Sequence, residues 1–143
     1  MVDIFQAFAA LLAADADLNA WSEALYGKVP TIYIGASLQS LPEDEHLPAV
    51  IFPAGTETGG LDAGDDVQIT ILFAVYREGT TTSGNIVTYT GLAECEQFAE
   101  HIWRVIQDIT AEYSPQSRAT TLWADEFYPQ WPGSMDVTLK RNR

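Results

Sequence analysis

Hydrophobic and polar positions separate most cleanly over residues 91–113, GLAECEQFAEHIWRVIQDITAEY. At about 100° per residue, Leu92, Cys95, Phe98, Ala99, Ile102, Trp103, Val105, Ile106 and Ile109 share one arc. Glu94, Glu96, Gln97, Glu100, His101, Arg104, Gln107 and Asp108 fill the other. A face this broad predicts a long amphipathic helix lying across a sheet, where each large side chain it buries contributes about 1.5–3 kcal/mol. Thr90 is placed to cap its first turn, and Glu94 suits the positive end of the helix dipole. Glu100 and Arg104, four residues apart, would add about 0.2–0.5 kcal/mol as a pair along the helix.

The rest of the chain reads around that helix. Ile4, Phe5, Phe8, Leu11 and Leu12 share a face, which predicts a helix over 3–14, capped by Asp3 and ended by Asp15. Asp17 would cap a short second turn with Leu18, Trp21 and Leu25 inward, closed by Gly27. Residues 29–34 (VPTIYI) form a short strand, with Pro30 at its start or on an edge. A polar connection follows, then LPAVIFP at 47–53 as a buried strand. Residues 54–65 (AGTETGGLDAGD) are a loop or hairpin tip. Residues 66–77 (DVQITILFAVYR) alternate most regularly: Val67, Ile69, Ile71, Phe73 and Val75 face the helix, and Gln68, Thr70, Leu72, Ala74 and Tyr76 face away. Residues 78–85 (EGTTTSGN) read as a second loop, 114–118 as a turn and 120–127 as a strand. YPQWPG at 128–133 should break regular structure, and 134–141 alternates as a final strand with Met135, Val137 and Leu139 inward. The order predicts one α+β domain: a mainly antiparallel sheet with two helices packed on one face and long flexible loops.

Composition narrows the partners. The chain has 143 residues, 47% of them apolar, enough for a core without staples. Its one cysteine, Cys95, lies on the apolar helix face, where a buried and inert thiol is expected. No stretch reads as a membrane span or signal peptide. The net charge is −13. All of it lies before residue 114, where the net is −14, since residues 114–143 set Asp125, Glu126 and Asp136 against Arg118, Lys140, Arg141 and Arg143 for a net of +1. Such a surface repels phosphate backbones, which argues against stable nucleic-acid binding and suits a channel that DNA passes without sticking.

Candidate chemistry is sparse. His46 and His101 have no serine or cysteine partner at a recognisable spacing, and no nucleophile elbow or phosphate loop is present. Glu43, Asp44 and Glu45 are consecutive, and Asp62 precedes Asp65 and Asp66 without the alternating spacing of a calcium loop. They read as solvated acids, which in a strand-rich chain also discourage edge pairing. No catalytic residue, metal or cofactor is assigned. The aromatics Trp123, Phe127, Tyr128 and Trp131 crowd together among prolines. Two readings stand: rings folded onto the core, or an interface patch.

The layout resembles a family. The first helix, the Leu-Pro-Ala-Val-Ile strand at 47–51, the Gly/Asp loop, the long strand ending Val75-Tyr76-Arg77, the Gly/Ser/Thr loop and the long helix follow one another as in the tail-terminator and minor tail proteins of long-tailed phages and prophages. The resemblance implies a non-enzymatic virion protein, assembled in the bacterial host cytoplasm and located in the tail. It implies a ring, commonly a hexamer, that caps the tail tube, ends its polymerisation and joins the head. Its partners would be further copies of itself, the tail-tube protein and a head-completion protein, with DNA passing through the lumen and no membrane involved. On that footing the loops 54–65 and 78–85 would lie at interfaces or face the tube, and the protein-interface residues would include Thr56, Glu57, Asp62, Asp65, Arg77 and Thr81, beside the aromatics Trp123, Phe127, Tyr128 and Trp131. The competing readings are an acidic protein–protein module, such as an inhibitor or another connector component, and a small metal-dependent enzyme built on the acidic loops.

Overall fold

The structure, a computed structural model, describes residues 2–36, 42–53, 66–109 and 113–141. Two helices open it, α1 (Val2–Ala14) and α2 (Ala16–Tyr26). Asp15 ends α1 as expected, and it also caps α2: its Oδ2 accepts from the Leu18 amide at 2.8 Å. The cap is therefore Asp15 and not Asp17, and α2 is a full helix of 11 residues where a short turn was expected. Asp3 lies inside α1 and not ahead of it. Gly27 closes α2 in the left-handed region, with its amide on the Glu23 carbonyl.

The strands are β1 (Thr31–Ala36), β2 (Ala49–Pro53), β3 (Asp66–Tyr76), β4 (Thr80–Ser83) and β5 (Ile86–Tyr89), followed by helix α3 (Thr90–Ile106), β6 (Tyr113–Leu122) and β7 (Gln130–Arg141). Five strands form one sheet in the order β1-β2-β3-β7-β6, antiparallel except for the β1–β2 pair. The class is thus α+β with a mostly antiparallel sheet, and the described residues include three α-helices where two were predicted.

The core follows the period-2 pattern. Val67, Ile69, Ile71, Phe73 and Val75 of β3 are all buried, and so are Met135, Val137 and Leu139 of β7 beside them. Phe98 of α3 meets Phe73 edge-on at 6.1 Å, and Phe5 and Phe8 of α1 stack on Phe52 of β2 at 5.3 and 6.2 Å. Trp21 of α2 stacks on Phe98 at 5.4 Å.

Several boundaries differ from the sequence reading. Helix α3 ends at Ile106 and not near residue 113, and Tyr113 instead opens β6, opposite Arg141. The turn expected at 114–118 is part of β6, with an irregular register between Pro115 and Ser117, and the strand stops at Leu122 instead of running to 127. Strand β7 runs straight through Pro132 and Gly133, where a break was expected. The proline is tolerated because β6 pairing ends at Leu122–Gly133, and the Pro132 carbonyl still accepts from the Trp123 amide at 3.0 Å. Residues 80–89, read as loop and lead-in, form the β4–β5 hairpin.

Polar contacts of α3 also differ. Tyr89, not Thr90, stands at its N-cap and makes no side-chain cap bond. Glu100 and Arg104 do not pair with each other. Glu100 accepts from Arg118 of β6 at 2.6 Å, and Arg104 donates to Asp15 at 2.8 Å. Both pairs tie α3 to other elements. Leu92 is exposed despite its place in the apolar arc, Trp103 is half-buried under the Arg118 guanidinium at 5.2 Å, and Glu94 is buried. Among the described residues no helix is long and apolar enough to cross a membrane.

Candidate assembly surface

Among the described residues strands β4 and β5 pair only with each other, in register Thr80–Tyr89 to Ser83–Ile86, and stand outside the five-stranded sheet. Every residue from Thr80 to Tyr89 is exposed. An isolated two-stranded hairpin is marginal on its own, so its placement depends on what holds its base.

That base is Arg77. Its Nε donates to Glu94 Oε1 at 2.7 Å and its Nη2 to the Leu25 carbonyl at 2.8 Å. Its guanidinium lies over the Tyr26 ring at 5.0 Å. Its amide donates to the Pro129 carbonyl at 3.0 Å, and its own carbonyl accepts from Trp131 Nε1 at 2.9 Å. Glu94 accepts a second bond from the Tyr26 hydroxyl at 2.7 Å. Arg77 and Glu94 thus bracket the hairpin in sequence and close its base in space. The hydrogen bond to Glu94 raises the Arg77 pKa, and burial beside the same carboxylate raises that of Tyr26. The first turn of α3 approaches closely at Gly91, where a Cβ would stand 1.9 Å from Trp131 Nε1. Only glycine lets the helix start over the indole.

The aromatic cluster of the C-terminal third meets the hairpin here. Tyr89 lies edge-on to Tyr128 at 6.1 Å and beside Trp131 at 5.6 Å, and the Tyr128 hydroxyl accepts from the Gly79 amide at 3.0 Å. The two readings of these aromatics divide residue by residue. Trp131 is buried to 1% exposure and serves the core, so it offers no surface on the single chain. Phe127 and Tyr128 are exposed at 46% and 45%, and Trp123 is intermediate. Thr81 lies on the exposed hairpin, its hydroxyl 3.4 Å from that of Thr90. Arg77 is half-buried in the contacts above and works within the chain. Thr56, Glu57, Asp62 and Asp65 lie outside the described residues. Sequence reasoning did not single out Ile86, Val87 or Tyr89, and it placed Leu92 on the buried helix face. The signal was available: residues 79–93 carry no charged side chain in a chain of net charge −13.

The titratable groups elsewhere are dispersed. Cys95 is fully buried, and burial pushes its thiol up to about 12. His101 packs against Trp21 at 5.4 Å and lies 3.1 Å from an Arg104 nitrogen. Burial and the Arg104 charge lower its pKa. Glu43, Glu45 and His46 come within 4.8 Å of one another around a single exposed turn. All three side chains face water, so they need no ion for their hydration.

No protein-family model matches the chain, and no curated protein matches it.

Proposed function

We propose that this chain is a non-enzymatic assembly protein of the tail-terminator kind. Copies of it join into a hexameric ring on the head-proximal end of a phage tail tube, where the ring stops polymerisation and presents the surface that the head joins. The observation that carries the reading is the β4–β5 hairpin: exposed throughout, free of charge, bearing Ile86 at 64% and Val87 at 58% exposure, yet fixed at its base by Arg77. A surface element of this kind suits contact with another protein better than chemistry on a small substrate. The net charge of −13 suits a ring through which DNA passes, since like charge keeps phosphates from adhering.

The test is assembly. Sedimentation velocity over a concentration series should show a ring-sized species. Electron microscopy of tail tubes grown from their own subunit should show this chain on one tube end, and added chain should shorten the tubes. A chain that stays monomeric at every concentration and leaves tube growth unchanged overturns the proposal. A stable one-to-one complex with an unrelated partner, and no ring, would place it among acidic protein–protein modules instead.

A further inference from the structure

The large hydrophobic side chains left exposed among the described residues fall in two places. Ile86, Val87, Tyr89, Leu92, Phe127 and Tyr128 lie on the hairpin and the segments at its base. Ile34 lies on β1, an outer strand of the five-stranded sheet, and Val29 lies just ahead of it. The hairpin and the start of α3, residues 79–93, are without charge in sequence, as are residues 29–42, while Phe127 and Tyr128 follow the exposed acids Asp125 and Glu126. The other outer strand, β6, differs: it carries Arg118 and exposes no large hydrophobic side chain.

The two regions are also complementary as backbone. Among the described residues β1 pairs with β2 on one side and with no strand on the other. The Thr31 amide turns inward to the Pro48 carbonyl at 2.9 Å, so in this parallel pair Ile32 and Ile34 present their main-chain groups to the open side. Among the described residues β5 likewise pairs with β4 alone, and alternate residues turn their amides and carbonyls away from it. Each edge therefore has unused hydrogen-bonding capacity, and each is flanked by exposed apolar side chains.

From this, and resting on the ring reading above, we infer that the hairpin of one copy adds as a strand to the β1 edge of the next. The occupant of each surface is a second copy of this chain. Two subunits of charge −13 repel wherever their acidic faces meet, and a contact between their uncharged edges avoids burying carboxylates. The surfaces are different patches, so the contact is head-to-tail and each copy both gives and receives a strand. Such contacts close into rings when the rotation allows it.

The experiment uses the full chain with two single substitutions at exposed positions, Val87→Asp on the hairpin and Ile34→Asp on β1. Circular dichroism and thermal unfolding should show both folded like the parent chain. In sedimentation, each variant alone should associate about tenfold to a hundredfold more weakly than the parent, as expected for a charge set into an apolar contact. Mixed, they should form a one-to-one dimer that grows no further, because the intact β1 of the first accepts the intact hairpin of the second. If Ile34→Asp assembles like the parent, or the mixture yields no dimer while the parent oligomerises, the strand addition is wrong and the ring reading stands. If the mixture dimerises but the parent forms open filaments, the contact holds and the closed ring does not. A parent chain that never associates overturns both.

Discussion

Replacing Arg77 with methionine tests whether the group at the hairpin base acts as one unit. Methionine keeps most of the stem but removes the bonds to Glu94 at 2.7 Å and to the Leu25 carbonyl at 2.8 Å. Glu94, whose side chain is 10% exposed, is left with the Tyr26 hydroxyl alone. Breaking a buried pair by removing one partner costs about 3–5 kcal/mol. Water reaches Arg77, at 30% side-chain exposure, so screening brings the expected loss to about 2–4 kcal/mol. Glu94→Gln keeps an acceptor for Tyr26 but loses the charge, and should cost about 1–3 kcal/mol. Once Glu94 is neutral, Arg77→Met no longer strands a carboxylate. The double variant should therefore be more stable than the sum of the singles by about 1–3 kcal/mol. Urea unfolding of the four proteins at neutral pH measures this, with midpoints shifting at constant slope. Additivity within about 0.5 kcal/mol would refute the reasoning, because uncoupled groups add.

Three further outcomes follow from the same geometry. Gly91→Ala forces a Cβ into the Trp131 indole and displaces its bond to the Arg77 carbonyl. Overpacking and the stranded donor, less the helix propensity gained, should cost about 1–5 kcal/mol, and an unchanged or higher melting temperature would contradict the close approach. Cys95, with its thiol raised to about 12 by burial, should resist a thiol reagent in the native chain and react fully once the chain is unfolded. Asp15 is held below its ordinary value of 3.8 by the Arg104 hydrogen bond and by the Leu18 amide, so its contribution is present above that value and is lost as pH falls through the lower folded value. Asp15→Ala should thus destabilise the protein by about 0.5–2 kcal/mol at neutral pH, mostly through the lost cap, and the difference should shrink in acid titrations of stability.

The strongly periodic segments were legible because burial on one face writes itself into spacing. The alternation of β3 and β7 and the buried Cys95, Phe98 and Ile102 of α3 appear where the pattern places them. The candidate surface was legible in part. Tyr128 and Thr81 stood out as residues, but the hairpin that joins them did not, because a Thr/Ser/Gly run lacks the apolar alternation by which a buried strand is recognised.

Sequence alone determined the class and the core faces of the long elements, since each rests on local spacing and on removing apolar surface from water. Tertiary structure alone decided the partners of the charged side chains. Glu94 belongs to the polar arc by spacing, yet it is buried because Arg77 and Tyr26, distant in sequence, meet it there. Asp15 and Arg104, and Glu100 and Arg118, pair for the same reason. A helical period records which way a side chain points, while an ion pair depends on which other element is brought opposite it.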